Sequence, residues 1–219
     1  LESVKWTDEV IVVDDFSTDG TDRIAKNMGA RVITPDIDNS DDFYQQDFSR
    51  LRNSGLKEAK GDWVLYIDAD ERVLNPLRCT IEKIIRSQSM IGAYAIPRRN
   101  IIFGQEKKYA AFWPDYVIRL FRKSHLKKWI GRVHEQPEYI GSLGKLKEPL
   151  LHLTHRSINQ IVLKSLDWSK IDADLRLKAH HPKMSGWRFL RILLSELFKQ
   201  GIIRRGFFNG TIGMMDSIL

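Results

Sequence analysis

Apolar residues in the first part of the chain come in short continuous runs that polar turns separate. The runs at 10–13 and 63–67 are typical of buried strands, and the segments 21–28 and 48–59 between them have the character of helices. Strands are also expected at 31–34, 93–98 and 116–122, and a helix at 76–87. This alternation predicts an α/β protein with a three-layer, mainly parallel sheet.

The last third of the chain has a different pattern, with apolar residues at helical spacing. Helices are expected at 158–178 and 187–203, and both are amphipathic. We therefore predict a catalytic domain over residues 1–155 and a helical extension over residues 156–219.

Acidic residues follow two of the predicted strands. Asp14 and Asp15 end the first, and Asp68-Ala69-Asp70 ends the strand at 62–67. Ligands bind at the carboxyl ends of strands in such sheets, and carboxylates suit Mg²⁺ or Mn²⁺, which can neutralise a diphosphate. A polar strand end or a helix cap is the alternative interpretation of the triplet, and a helix-capping or turn role is the alternative for Asp14.

The sequence around these residues resembles that of one enzyme family. VIVVDDFSTDGTDRIAK and SRLRNSGLKEAKGDWVLYIDADE, within residues 9–71, are similar to the family-2 glycosyltransferases with the GT-A (Rossmann-like) fold. Later segments, PDYVIRLFRK, GRVHE and RRGFFNGTIGMM, resemble a bacterial subgroup that includes lipopolysaccharide-core glucosyltransferases. The resemblance implies a hexosyltransferase that moves a sugar from a UDP-sugar to a saccharide acceptor anchored to a lipid.

The resemblance also implies roles for individual residues. Asp15, with Asp14 beside it, matches the position that contacts uracil, and Arg52 matches a position near the base and phosphates. Asp68 matches the carboxylate that faces the ribose and the metal, and Asp70 matches the direct metal ligand. An exposed helical cation is the alternative for Arg52.

Glu135 is the candidate base of an inverting transfer, which needs a group to take the acceptor's proton. It matches the late acidic motif of the subgroup, with a surface loop as the alternative and Asp115 as the next candidate. His134 is expected to orient this loop or to bind phosphate, with a structural histidine as the alternative.

Three further positions are candidates with open alternatives. His152 is a possible third metal ligand, ahead of His155, or a structural histidine at a strand end. Arg119 and Arg122 point to opposite faces of one strand, so only one is expected at the donor site, and we assign Arg119. Trp113 is a stacking platform for a sugar or a core residue.

Acidic and basic residues are distributed unevenly along the chain. Residues 1–118 hold 16 Lys/Arg and 20 Asp/Glu, whereas residues 119–206 hold 19 and 7. A basic second half with an amphipathic helix at 187–203 suggests peripheral contact with an anionic membrane, at the cytoplasmic face where nucleotide sugars are made. A solvated basic surface, or a helix packed on protein, is the alternative.

A nucleotidyltransferase and a non-catalytic binding module are the two alternative function classes. A sugar-phosphate nucleotidyltransferase favours a Gly-rich phosphate loop near its start, and none is present. A module that binds anionic polymers fits the pI of about 9.5, but no nucleic-acid motif accompanies the basic residues, so no nucleic-acid partner is expected. The resemblance further implies a nucleotide-binding strand ahead of Glu9, and only eight residues stand there.

Overall fold

The computed structural model describes residues 1–35, 47–87, 89–106, 113–131, 135–154 and 157–218. The predicted acidic loop at 36–42, together with His134 and His155, lies outside the described residues.

Strands and helices alternate in the first part of the chain, as the apolar runs predict. Strands β1 and β3 are runs of β-branched or large apolar residues, and each helix ends where a turn residue or an extended residue follows. The elements are β1 (Ile11–Val13), α1 (Thr21–Asn27), β2 (Arg31–Ile33), α2 (Phe48–Glu58), β3 (Trp63–Leu65), β4 (Glu71–Val73) and α3 (Asn75–Arg86).

Strands dominate the middle of the chain and helices its end. The strands are β5 (Ala93–Ile102), β6 (Gln105–Glu106), β7 (Asp115–Arg122), β8 (Leu126–Ile130), β9 (Gln136–Tyr139), β10 (Leu143–Lys145) and β11 (Leu150–His152). The helices are α4 (Ile158–Lys178), α5 (Gly186–Phe198) and α6 (Gly210–Ile218), and a π-helical turn follows α5.

The largest sheet of the described residues has seven strands, in the order β3-β7-β5-β11-β4, with β6 and β10 also paired to β5. Strands β1 and β2 pair in parallel, as β10 and β5 do, while β3–β7, β5–β6 and β8–β9 are antiparallel. The α/β class is confirmed, and the pairing within it is mixed. Apolar runs do not reveal strand direction, which depends on the connections.

Two apolar clusters pack against this sheet. One joins Leu77 and Ile81 of α3 to Ile96, Leu120 and Leu150 of three strands. The other is aromatic, and its rings meet edge to face: the Phe121 ring centre lies 5.9 Å from that of Tyr66 and 5.7 Å from that of Trp129. These rings stabilise the end of β3, beside the acidic residues.

The described residues form two compact units. The first comprises residues 1–98 and 116–151, and the second comprises residues 99–115 and 152–219. The first unit contains both acidic strand ends, whereas α4, α5 and α6 lie in the second. The division predicted at residue 155 stays a prediction.

Candidate active site

The turn after β1 holds the first acidic pair. Asp14 is buried, and its carboxylate accepts a hydrogen bond from the Ser17 amide at 3.2 Å. Asp15 lies 3.5 Å from the Arg50 guanidinium of α2. Asp14 therefore stabilises the turn, which was one of its two interpretations, and Asp15 faces α2.

The carboxylate of Asp19 stabilises the start of α1. It accepts hydrogen bonds from the Thr21 amide and hydroxyl, and Gly20 takes the left-handed conformation at the N-cap. Asp19 thereby satisfies one of the amides that have no partner within the helix.

Helix α2 carries the Arg-Asn-Ser-Gly segment, and three of its four residues have separate contacts. Arg52 points to the acidic residues described below. The Asn53 side chain exchanges two hydrogen bonds with the backbone of Trp129, at 2.8 and 2.9 Å, and so attaches β8 to the helix. At Gly55 a Cβ would lie 3.2 Å from Val13, which explains a residue without a side chain there.

Arg52 joins residues that are far apart in sequence. Its Nη2 lies 3.0 Å from an oxygen of Asp68 and 2.9 Å from Oε1 of Glu135, which also accepts from Nε at 3.0 Å. The guanidinium stacks near the rings of Trp129 and Tyr66, with centroid distances of 4.8 and 5.6 Å. The candidate base therefore lies in the same cluster as the Asp-Ala-Asp triplet, within the first unit.

Arg119 approaches Asp68 from the other side. This buried side chain of β7 bonds to the second carboxylate oxygen of Asp68 and lies 3.1 Å from Glu71. Arg122 instead donates to the Ser89 carbonyl and stacks on Trp63. As alternation along the strand predicted, only one of the two arginines contacts the acidic cluster.

Glu71 is a residue that the sequence reasoning missed. Its side chain is fully buried at the start of β4, against Arg119. A signal was present, because Glu71 and the buried Val73 occupy alternate positions of one strand and so share a face.

Opposing effects set the ionisation of the cluster. Burial acts to raise the pKa of Asp68, but Arg119 and Arg52 outweigh it, so this pKa lies below its usual range. Burial acts to lower the pKa of Arg119, but Asp68 and Glu71 outweigh it, so this pKa is raised. Burial raises the pKa of Tyr66 to about 12. Asp68 is thus a carboxylate held ionised by two guanidiniums.

The contacts of the predicted metal ligands limit the kind of metal site that they can form. Both oxygens of Asp68 bond to arginines, and the described residues contain no group of three His, Cys, Asp or Glu side chains that could hold an ion. Mg²⁺ and Mn²⁺ sites with a bound diphosphate take one or two carboxylates, with phosphates and water as the other ligands. Asp68 and the half-buried Asp70 supply carboxylates of the kind that such a site takes, whereas the described residues do not form a cage of protein ligands alone. The metal roles of both stay predictions.

His152, the predicted third ligand, lies in the second unit. Its Nδ1 is 2.7 Å from Oδ1 of Asn100, and the Asn100 amide donates to Asp115 at 3.1 Å. Because the Asn100 oxygen can only accept, Nδ1 of His152 is the donor of this hydrogen bond. The structure therefore brings together His152 and Asp115, two of the candidates, through an asparagine that was not singled out. The metal role of His152 stays a prediction.

Comparison with known proteins matches the sequence of this chain to one family. The model of glycosyl transferase family 2 matches residues 1–134. An uncharacterized glycosyltransferase of Rickettsia typhi is 33% identical over 100% of this chain and 76% of its own length. A similar one of Rickettsia conorii is 33% identical, with 79% of its length covered. The SPbeta prophage-derived glycosyltransferase SunS of Bacillus subtilis is 30% identical over 63% of this chain and 30% of its own.

These matches establish the class of enzyme. Family-2 enzymes take a sugar from a nucleotide-sugar donor to an acceptor and generally use a divalent metal. The expected GT-A fold is confirmed with the family, as is the glycosyltransferase activity. The acidic strand ends, the Arg-Asn-x-Gly helix and the matched residues all lead to one conclusion: this chain belongs to glycosyltransferase family 2.

Proposed function

We propose that this enzyme is an inverting transferase that moves a sugar from a UDP-sugar to a hydroxyl of a lipid-linked or lipopolysaccharide-core saccharide, with Mg²⁺ or Mn²⁺. One observation carries the proposal. A single guanidinium, that of Arg52, bonds both to Asp68 of the donor motif and to Glu135, the candidate base. The residue proposed to bind the donor and the residue proposed to activate the acceptor therefore share one partner in the first unit.

The donor would lie along the acidic strand ends. In this proposal Asp15 contacts the uracil, Arg52 faces the diphosphate, and Asp68 contacts the ribose. Asp70 and Asp68 would hold the divalent cation, which when bound neutralises the diphosphate leaving group. Arg52 is suited to the diphosphate because its planar fork can bond two oxygens at once.

Glu135 performs the proton transfer in the proposed reaction. Its carboxylate takes the proton from the acceptor hydroxyl, and the hydroxyl oxygen forms a bond to the anomeric carbon of the donor. The bond between that carbon and the diphosphate oxygen breaks, and its electron pair leaves with UDP. One displacement on one face of the sugar inverts the anomeric configuration. Because Arg52 bonds to the same carboxylate, the diphosphate would draw Arg52 towards itself and release Glu135.

The test is an assay of the purified protein with a panel of UDP-sugars and saccharide acceptors, with Mn²⁺, with Mg²⁺, and with a chelator. We expect UDP release that requires both an acceptor and a divalent cation, and NMR of the product should show the inverted anomer. A retained configuration contradicts the single displacement. Activity with another nucleotide sugar and none with UDP-sugars contradicts the assignment of uridine.

The acceptor half of the proposal depends on α5 in the second unit. None of the described side chains of α5 is buried, and its large apolar residues are exposed, including Trp187 at 74% and Leu194 at 54%. Trp187, Leu190, Leu194 and Phe198 are spaced three or four residues apart and so form one face. No helix in the described part of the chain is long and apolar enough to cross a membrane.

An anionic membrane surface is the occupant that suits this face. Arg188 and Arg191 lie on the same helix, and Arg204 and Arg205 follow it. A helix with an apolar face and flanking cations lies in the interface of a membrane, and each cation near an anionic leaflet contributes ~1 kcal/mol. We therefore propose a peripheral position at the cytoplasmic face of the cell membrane, where a lipid-anchored acceptor would also be found.

Vesicle co-sedimentation tests this position. We expect binding to anionic but not neutral vesicles, weakening as salt rises, because exposed charges are screened. Replacing Arg204 and Arg205 with Glu should abolish it. Reversing Lys5 and Lys26, two exposed cations of the first unit, is the matched control and should have little effect. Equal failure with both vesicle types contradicts the membrane proposal and favours a soluble acceptor.

A further inference from the structure

Glu71 is a buried carboxylate with no part in the transfer described above. It begins β4, directly after the Asp-Ala-Asp triplet, and its side chain has no exposed surface. A carboxylate is buried at a large cost in hydration unless cations and hydrogen-bond donors compensate for the lost water. The contacts of Glu71 therefore indicate which part of the site it stabilises.

The first partner is the backbone of the donor motif. The Asp68 amide donates to Oε2 of Glu71 at 2.9 Å, and the Glu71 amide donates to the Asp68 carbonyl, also at 2.9 Å. The two ends of the four-residue turn are thus bonded in both directions. Ala69 and Asp70 lie at the tip of this turn. Glu71 consequently fixes the backbone that carries both carboxylates of the motif.

The second partner is Arg119. Its Nη2 bonds to Asp68 and lies 3.1 Å from Oε1 of Glu71, while Arg98 approaches the same oxygen at 3.9 Å. The side chain of Arg119 is 6% exposed, so its charge depends on these carboxylates for compensation. Without Glu71, the full charge of Arg119 would be directed at Asp68 alone, where it would oppose an approaching cation.

We propose that Glu71 is a positioning residue for the nucleotide-sugar donor: it holds the Asp68–Asp70 turn closed and shares Arg119 with Asp68. This inference rests on the proposed function, because it assigns the donor and its cation to Asp68 and Asp70. Glu71 itself contacts neither. Its effect on the donor passes through the backbone of Asp68 and the guanidinium of Arg119.

Calorimetric titration with UDP and Mn²⁺ tests the proposal, alongside kinetics of the transfer. Glu71→Asp keeps the charge but is one methylene short of spanning both partners, and Glu71→Gln keeps the length but loses the charge. For both variants we expect UDP binding weakened about tenfold or more and a raised donor KM, with a smaller change in kcat. Glu82→Gln is the control, because it removes an arginine-paired carboxylate of the same unit on α3, away from the motif. It should bind UDP as the native protein does.

A measurement on the native protein keeps the proposal testable if the variants do not fold. Hydrogen exchange should show protected amides at Asp68 and Glu71. Unprotected exchange at Asp68 overturns the proposal, as does native affinity for UDP in a folded Glu71 variant. A native protein that binds no UDP contradicts the proposed function instead, and the exchange experiment still decides whether Glu71 holds the turn.

Discussion

The two compact units use charge and apolar surface in opposite ways. In the first, charged side chains are buried: Arg52 is 11% exposed, Arg119 6% and Glu71 not at all. In the second, α5 exposes large apolar side chains such as Trp187. Buried charges persist only where partners compensate for lost hydration, so the first unit supplies those partners itself. The exposed apolar face of α5 has no such partner among the described residues, which is why we assign it one outside the chain.

Arg52→Met breaks the charged cluster most severely. It leaves Asp68 and Glu135 without their shared cation, so we expect donor transfer to fall at least ~10²-fold. The free energy of unfolding should fall by about 2–3 kcal/mol, less than for a fully buried pair because Asp68 is partly exposed. Urea denaturation measures it. Arg176→Met on α4 removes an exposed pair with Asp172 and should change stability by less than ~0.5 kcal/mol. Equal losses from both variants would contradict the contrast between the units.

Glu135→Gln tests the chemistry of the same cluster without removing its shape. We expect turnover to fall by roughly 10²-fold while UDP binding is nearly unchanged, because the amide cannot take the acceptor's proton. Steady-state kinetics and calorimetry separate the two quantities. Glu138→Gln, in the neighbouring strand β9 and paired with Lys127, is the control. Unchanged turnover in Glu135→Gln would move the base to Asp115, in the second unit.

Asp70→Asn should affect donor binding more than folding. The amide is a much weaker ligand for a hard cation, so we expect the Mn²⁺-dependent part of UDP-sugar binding to be lost. Because Asp70 lies at the tip of a turn, thermal unfolding should change little. Asp62→Asn, exposed before β3, should leave both quantities unaltered. Undiminished Mn²⁺-dependent binding in Asp70→Asn would contradict the assignment of the cation to this turn.

Acid should weaken the first unit through Asp68, and this is the smallest effect we expect. The pKa of Asp68 lies below its ordinary value of 3.8 in the folded protein. Its stabilising contribution is therefore present above that value and is lost as pH falls below it, through the folded pKa. In Asp68→Asn the free energy of unfolding should depend less on pH below about 4. Asp167→Asn on α4, with an exposed carboxylate, should retain the native pH dependence.

Much of the fold and some of the site followed from local patterns. The bounds predicted for α4 are those observed, α2 ends one residue earlier than predicted, and α3 both begins and ends one residue earlier. Asp68, Arg52 and Glu135 were each singled out by residue type and motif. Their common contact was not predictable, because 83 residues separate Arg52 from Glu135 and only the packing of α2 on β8 brings them together.

Residue type and periodicity, both properties of the chain itself, were sufficient for the α/β class and the carboxylates at strand ends, and the resemblance of its motifs indicated the family. Tertiary structure alone decided how the charges pair: Arg52 and Arg119 share Asp68, and Glu71 supports the motif from within. It also placed His152 beside Asn100 in the second unit. The physical reason is that burial and pairing depend on strand order and direction, and a run of apolar residues encodes neither.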